Sequence, residues 1–517
     1  MSRPGTHGYA RPVPGAWGLS GAVTSGNRLE SSFSYSDWML PGPRGAQRVQ
    51  PNVILAVLSL AALTYSILSS AVIPALPTIQ HSLHASETGI TWLLTGFLLS
   101  ASVGTAIIGK LGDMYGKQRL LVWTLLILAA GTLLAALADT LPVLIVARVI
   151  QGVAGGIFPL AFAIVRDEFP ADRVAGSIGL MSAILGVGGG LGLVVGGLID
   201  EHLNWHWLFW IPLPVMVAAA VCTWRYIPES KVRSPGRVNW AAAALMTTGM
   251  SCLLIAIAQA TAWGWTGLPT LALLAVGLAV CCLWILVELR SRNPLVDMAM
   301  MRVRGVWTAN LVAFLLGAGL YAWFLLLPQL AQLSLSTGFG YGASVVVAGL
   351  YLLPCALGMG VLASLAGRVE RRFGSRRALI AGAAASAAAC GWLAVASQHP
   401  YDMLLSSTLL GVGIGLAFAA LGNLIVQAVP PCQTGVASGM NTVLRTLGGA
   451  LGGQIAATFV AASAVHGLPA LTGFTQTFAM SALFLACCAV AGLLIPTLTP
   501  AVTSLPAAAT SDAPAAG

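Results

Sequence analysis

The chain has 517 residues, of which 57% are hydrophobic and only 8% charged, with a mean hydropathy of +0.86 and a formal net charge of +9. A water-soluble globule carries about a quarter charged residues, so this composition excludes one. It points to an all-α polytopic membrane protein: about 20 consecutive apolar residues cross a bilayer core, where spans must be helices or a closed barrel, and the apolar/polar alternation of a barrel is missing.

Residues 1–50 are rich in Gly, Ser, Pro and Arg and lack a signal-peptide apolar core, so they are expected to form a disordered cytoplasmic arm, with Met39 as an alternative start. Apolar runs then predict fourteen transmembrane helices near 53–75, 89–109, 119–138, 142–165, 175–199, 207–227, 239–261, 268–288, 306–333, 343–366, 378–397, 402–427, 437–463 and 475–496. The seventh and eighth contain almost no ionisable residue and are expected at the periphery. The low-complexity tail 498–517 reads as solvated and disordered. Most of the nine cysteines lie inside apolar runs, and neither a disulfide framework nor metal-ligand spacing occurs, so no metal or cofactor is expected.

The basic residues set the topology. Apart from Arg148 and Arg445, every Lys and Arg lies in the N-terminal arm or after an even-numbered span, while Glu87, Asp139, Asp200, Glu201 and Asp402 mark the odd turns. By the positive-inside rule both termini are cytoplasmic. The positive charge is then explained by topology and contact with anionic lipid, and no nucleic-acid partner is implied.

Two of the basic segments are copies of each other. GKLGDMYGKQR (109–119) lies over GRVERRFGSRR (367–377), with glycines at both ends of an eight-residue frame and an aromatic before the second. One follows the second span and the other the tenth, as a duplication of six helices with two inserted between the copies requires. LIVARVIQGVAGG (144–156), GGGLGLVVGGLI (188–199) and GVASGMNTVLRTLGGALG (435–452) complete an ordered set of motifs. With them the sequence, over roughly residues 51–497, resembles the major facilitator superfamily, in particular its fourteen-span drug:proton antiporter branch. That resemblance implies two pseudo-symmetric six-helix bundles plus two inserted helices. The expected division is an arm at 1–50, a first bundle at 51–228, inserted helices at 229–303, a second bundle at 304–497 and a tail at 498–517. It also implies that Gly109, Asp113, Gly116 and Lys117 form a cytoplasmic latch, and that Gly188, Gly192, Gly196 and Gly197 lie on a hinge between the bundles. No acid lies near the centre of a predicted span, so the candidates for proton coupling are Asp113 at the inner face and Asp200, Glu201, His202 and His206 at the outer end of the fifth span, where a loop histidine is more often simply solvated.

An arginine inside an apolar helix faces the protein interior by default and marks function. Arg148 is therefore the leading candidate, with Gln151 three residues on as its partner; hydrogen bonding to backbone carbonyls is its bland alternative. Arg445, with Asn441 on the same helical face, is a second candidate that could instead snorkel to the membrane surface. Asn310, Tyr321, Trp323, Gln329, Tyr351, Asn423 and Asn441 are candidates for a substrate path, since aromatics with scattered amides suit bulky amphipathic molecules. Against the family pattern, Leu68 stands where the first span usually has Asp, Leu193 where the fifth has Pro, Met114 where the loop has a basic residue, and Arg371 where the second copy would have an acid.

The expected function is secondary active export of small organic, drug-like compounds across a bacterial cytoplasmic membrane, by a monomer and with protons as the coupling ion. No nucleotide-binding signature occurs, no ring of polar residues suggests a channel, and no nucleophile, base and orienter cluster suggests an enzyme. A proton-independent facilitator or exchanger of a specific metabolite, motivated by Leu68 and Leu193, stays open, as does a non-transporting membrane scaffold.

Overall fold

The computed structural model describes residues 50–230, 232, 238–397, 399–464 and 469–496. The expected arm before Gln50, the tail after 497, and Lys231, Arg233 and Arg237 lie outside the described residues. Among those described the chain is helix and turn, with no strand.

The long helical segments are α1 (Pro51–Ser82), α2 (Glu87–Tyr115), α3 (Lys117–Ala136), α4 (Leu141–Glu168), α5 (Ala171–His202), α6 (Trp207–Tyr226), α7 (Trp240–Ala258), α8 (Leu268–Arg290), α9 (Arg304–Gln332), α10 (Val345–Phe373), α11 (Ser375–Val395), α12 (Pro400–Gln427), α13 (Thr434–Ala462) and α14 (Leu471–Gly492). Local chemistry sets the boundaries. Proline in the first turn opens α1, α4, α8 and α12, where its missing N–H costs nothing, and Ser86, Asn239 and Ser344 accept amide hydrogens at the starts of α2, α7 and α10. By length and hydropathy twelve of the described helices can cross a bilayer, and α10, a bent pair of segments, makes a thirteenth. Six glycines dilute α13, so the expected count of fourteen crossings is not reached on these grounds.

The segments 109–119 and 367–377 are not loops. Lys110 and Asp113 lie in the last turns of α2, Lys117 opens α3, and Gly116 alone separates the helices at φ 118°; Gly374, at φ 83°, does the same between α10 and α11. Only glycine takes such a conformation without strain, which is why one residue suffices to break each helix pair.

Within the first six helices α1 packs on α5 and α6, α2 on α4, and α3 on α4 and α6; each pairing recurs eight helices on, as α9 with α13 and α14, α10 with α12, and α11 with α12 and α14. Two seams join these sets, α2 against α13 and α5 against α10 and α12. α7 and α8 pair with each other, and α7 also touches α2 and α13. Over an 18-residue apolar stretch α12 is 83% buried and α8 only 17%, which puts α12 at the centre and α8 at the rim.

Even-numbered turns share one end of the molecule. Lys117 pairs with Asp167, Ser230 donates to Asp167, Gln433 to Asp297, Arg304 to the Leu494 carbonyl and Arg376 to that of Leu493. Odd-numbered turns meet at the other end, where Thr78 donates to Asp200, Trp205 to Ser82, Trp265 to Thr458 and Tyr341 to the Ser397 carbonyl. The basic turns thus form a single face.

Candidate functional site

Arg148 is fully buried on α4. Its guanidinium donates to the Leu93 carbonyl of α2 (3.2 Å), to the Leu68 and Ser69 carbonyls of α1 (3.4 and 3.5 Å) and to Gln151 Oε1 (3.0 Å), and it lies 4.2 Å from the ring centre of Phe97. Gln151 donates in turn to Thr132 on α3 at 3.2 Å. Phe97 stacks on Tyr65, and Tyr65 meets Phe158 edge to face. One cation thereby ties four helices through oxygens and an aromatic face, and no carboxylate pairs with it among the described residues. Leu68 takes part through its backbone: the carbonyl of the residue lacking a carboxylate accepts the arginine.

Across the middle of the molecule, Phe158 and Phe162 of α4, Ser182 of α5, Phe418 of α12, and Asn441 and Arg445 of α13 line a cavity of about 20 Å³, room for about one water. Arg445 does not snorkel to a surface. It stacks at 5.0 Å over Phe418 and is half-buried against this cavity. Ser438, also lining it, has a buried hydroxyl without a partner among the described residues.

At the basic face Asp113, 1% exposed, accepts from the Gly435 and Val436 amides (3.3 and 3.1 Å) at the start of α13. A helix N-terminus holds unpaired amides and a positive dipole end, so a carboxylate fits there. Lys117, fully buried, lies 4.0 Å from Asp113 and pairs closely with Asp167 of α4. Arg166 beside it on α4 donates to Thr434 (2.7 Å) and to the Val429 carbonyl (2.9 Å), so α4 as well as α2 is tied to the α12–α13 turn. Gly116 faces the Glu229 carboxylate, which accepts from the first amides of α3.

A family model described as Major Facilitator Superfamily matches residues 58–453. The chain belongs to that superfamily. The tetracenomycin C resistance and export protein of Streptomyces glaucescens is 29% identical over 428 residues, covering 81% of this chain and 78% of the relative. Multidrug resistance protein 3 of Bacillus subtilis is 28% identical over 373 residues, 71% of each chain, and the methylenomycin A resistance protein of Streptomyces coelicolor is 29% identical over 384 residues, 72% of this chain and 78% of the relative. Among solved structures, the human organic anion transporter MFSD10 has a TM-score of 0.62 at 17% identity, covering 86% of this chain and 99% of that one. The proton:xylose symporter XylE has a TM-score of 0.61 at 13% identity, covering 86% and 96%. At these identities the structural likeness speaks for the fold alone.

Several expected positions of this major facilitator are corrected by the packing. Gly188, Gly192 and Gly196 do not face the second half. Their hydrogens point at Ser66, at Ser70 with the Ile67 carbonyl, and at Ala71 on α1, while Gly197 is buried; the α5 residues that meet α10 are Gly186 against Met359, Gly190 against Ala356 and Val194 against Gly349. The stripe therefore closes the first half upon itself. Trp323 is core, fully buried with its indole donating to Ser406, and Asn310 is fixed by the amide of Asn441 (3.0 Å) between α9 and α13. Asn423 lies at the basic face, donating to Glu370 (2.9 Å) and to the Ala175 carbonyl (3.1 Å). Of the path candidates, Tyr321 and Gln329 are exposed, Tyr351 is half-buried, and Asn441 lines the cavity.

Sequence reasoning missed Asp167, Arg166, Glu229 and Thr132. Asp167 and Arg166 were visible as the charged end of α4; Thr132 offers no signal, since a threonine in an apolar helix usually bonds its own backbone.

Proposed function

We propose that this transporter exports small, amphipathic organic compounds from the bacterial cytoplasm by alternating access, as a monomer with its basic face and both termini in the cytoplasm. The basic turns support that orientation through the positive-inside rule, and the names of the resistance and export relatives support the substrate class. The mechanism rests on one observation: the two halves are clasped at the basic face by a few polar contacts, Asp113 on the α13 amides and Arg166 on Thr434, which separate as a unit when α2 and α4 part from α13. In this reading the clasp holds the outward-facing state, and Arg148 keeps α1, α2, α3 and α4 together as a rigid body. Gln151 orients the guanidinium, and Arg445 presents a cation to cargo once the one-water cavity it lines widens, with Asn441 beside it holding α9 to α13 through Asn310. Tyr321, Gln329 and Tyr351 lie on the route outward.

Proton coupling is part of the proposal. A second reading, exchange or facilitated movement without protons, is favoured by the Leu68 carbonyl standing where a carboxylate would titrate. Everted membrane vesicles settle the choice. With tetracenomycin C, methylenomycin A and a cationic dye as probes, the proposal expects accumulation driven by an imposed pH gradient and collapsed by a protonophore. Accumulation indifferent to the gradient selects the second reading, and no accumulation of any probe overturns export of this class.

A further inference from the structure

The two seams share a backbone design and differ in chemistry. Laying 109–119 over 367–377 puts Gly109 on Gly367, Asp113 on Arg371 and Lys117 on Ser375. The close glycine crossing is kept, since a Cβ on Gly367 would stand 3.0 Å from Gly176 Cα of α5. The ion pair is not kept. Arg371 turns outward and donates to the Asp172 carbonyl at 3.4 Å, and the carboxylate of this copy is Glu370.

Glu370 is 6% exposed. Asn423 Nδ2 of α12 lies 3.0 and 2.9 Å from its two oxygens, and the Ser375 hydroxyl donates to it. The same Asn423 amide reaches the Ala175 carbonyl of α5. A line of hydrogen bonds thus crosses the seam and ends on a buried carboxyl. The charged groups nearby are Arg368, Arg371 and Arg372 on α10, Arg376 and Arg377 on α11, and Asp172 and Arg173 on α5; the facing end of α12, residues 416–427, has none. All are exposed except Arg376, which is engaged with the Leu493 carbonyl, and none forms an ion pair with Glu370 among the described residues. Where Lys117 supplies a cation in the first copy, the second has a hydroxyl.

We propose that Glu370 is a proton-binding site of the second seam, neutral while α5 and α10 are together and ionised when they part. The proposal rests on the reading that the two halves rock. Burial with no facing cation favours the neutral form against the Asn423 and Ser375 donors, which favour the ionised one; when neutral, the carboxyl O–H donates to the Ser375 hydroxyl oxygen. When the seam opens, water from the basic face hydrates the group, its O–H bond breaks and the proton passes to that water; on closing a proton is taken back from the same face. Uptake and release on one side move no net proton across the membrane. The effect is a bias: acidifying the basic face favours the closed seam.

The test is infrared difference spectroscopy of the full-length protein in lipid nanodiscs, titrated from mildly acidic to mildly alkaline buffer. A protonated-carboxyl band is expected in the wild type, absent from Glu370→Gln, and absent from Ser375→Lys, which restores the missing cation while keeping Glu370. Spectra of wild type and Glu370→Gln that superimpose, or a band that survives Ser375→Lys, overturn the proposal. As a second readout, alkylation of the native Cys432 at the basic face is expected to rise several-fold more steeply with pH in the wild type than in Glu370→Gln; equal profiles also overturn it. The band reports protonation whether or not any compound is moved, so a failed export assay leaves this test standing.

Discussion

Gly435 and Gly109 cross so closely that a Cβ added to Gly435 would stand 2.5 Å from the Gly109 carbonyl oxygen and 2.9 Å from Asp113 Oδ1. The absence of a side chain is what brings the Asp113 carboxylate onto the α13 amides. Gly435→Ala should therefore wedge α2 from α13 at a cost of about 1–3 kcal/mol and loosen the clasp. Alkylation of Cys432, two residues before the α13 start, is expected to quicken several-fold, read by mass spectrometry; an unchanged rate would mean that the crossing does not control the basic face.

Lys117 sits between two acids, with no exposure of its own. Removing it leaves Asp167 and Asp113 buried without a full countercharge, a change that costs about 3–5 kcal/mol for a buried pair. Lys117→Ala should lower the thermal midpoint sharply, and Lys117→Ala with Asp167→Asn should recover part of the loss. Additive losses in that double-mutant cycle, followed by fluorescence-detected size exclusion, would show that the two side chains are not coupled.

For Arg148 the geometry separates charge from shape. Lysine keeps the charge but cannot reach the carbonyls of Leu68, Leu93 and Ser69 and the oxygen of Gln151 at once, because it lacks the planar fork. Arg148→Lys should leave the protein inserted, reduce stability by about 1–3 kcal/mol through unpartnered acceptors, and lower export in everted vesicles more than tenfold, about 1.4 kcal/mol on the barrier. Wild-type flux in Arg148→Lys would remove the residue from the mechanism.

The fold was legible because each bilayer crossing demands a run of about 20 apolar residues and the charges alternate between turns. Helix positions could be read from those two facts, and the internal repeat from the matching glycine frames at 109–119 and 367–377. Partners across the molecule could not. Arg148 was recognisable as an interior cation, and Gln151 as its neighbour three residues on, because both follow from helix geometry. Its bonds to Leu68 and Leu93 depend on which backbone faces which, and leucine carbonyls carry no mark in a sequence. Trp323 and Asn423 read as path residues for the same reason: composition says that an amide or indole is unusual in a span, but only packing decides whether it meets cargo, core or a seam.

The small-residue stripe of α5 gives the sharpest test of packing against pattern. Gly196 lies on the Ala71 backbone of α1, where an added methyl has nowhere to go, whereas a Cβ on Gly190 would rest 3.4 Å from that of Ala356, an ordinary contact. Gly196→Ala should cost about 1–3 kcal/mol. Gly190→Ala, on the face that meets α10, should be neutral or gain up to about 1 kcal/mol from the better helix former. If the stripe were a hinge between halves, Gly196→Ala would change export while sparing stability. Thermal midpoints and efflux rates measured on the same two variants decide the matter, and a stable but inactive Gly196→Ala would return the stripe to the moving interface.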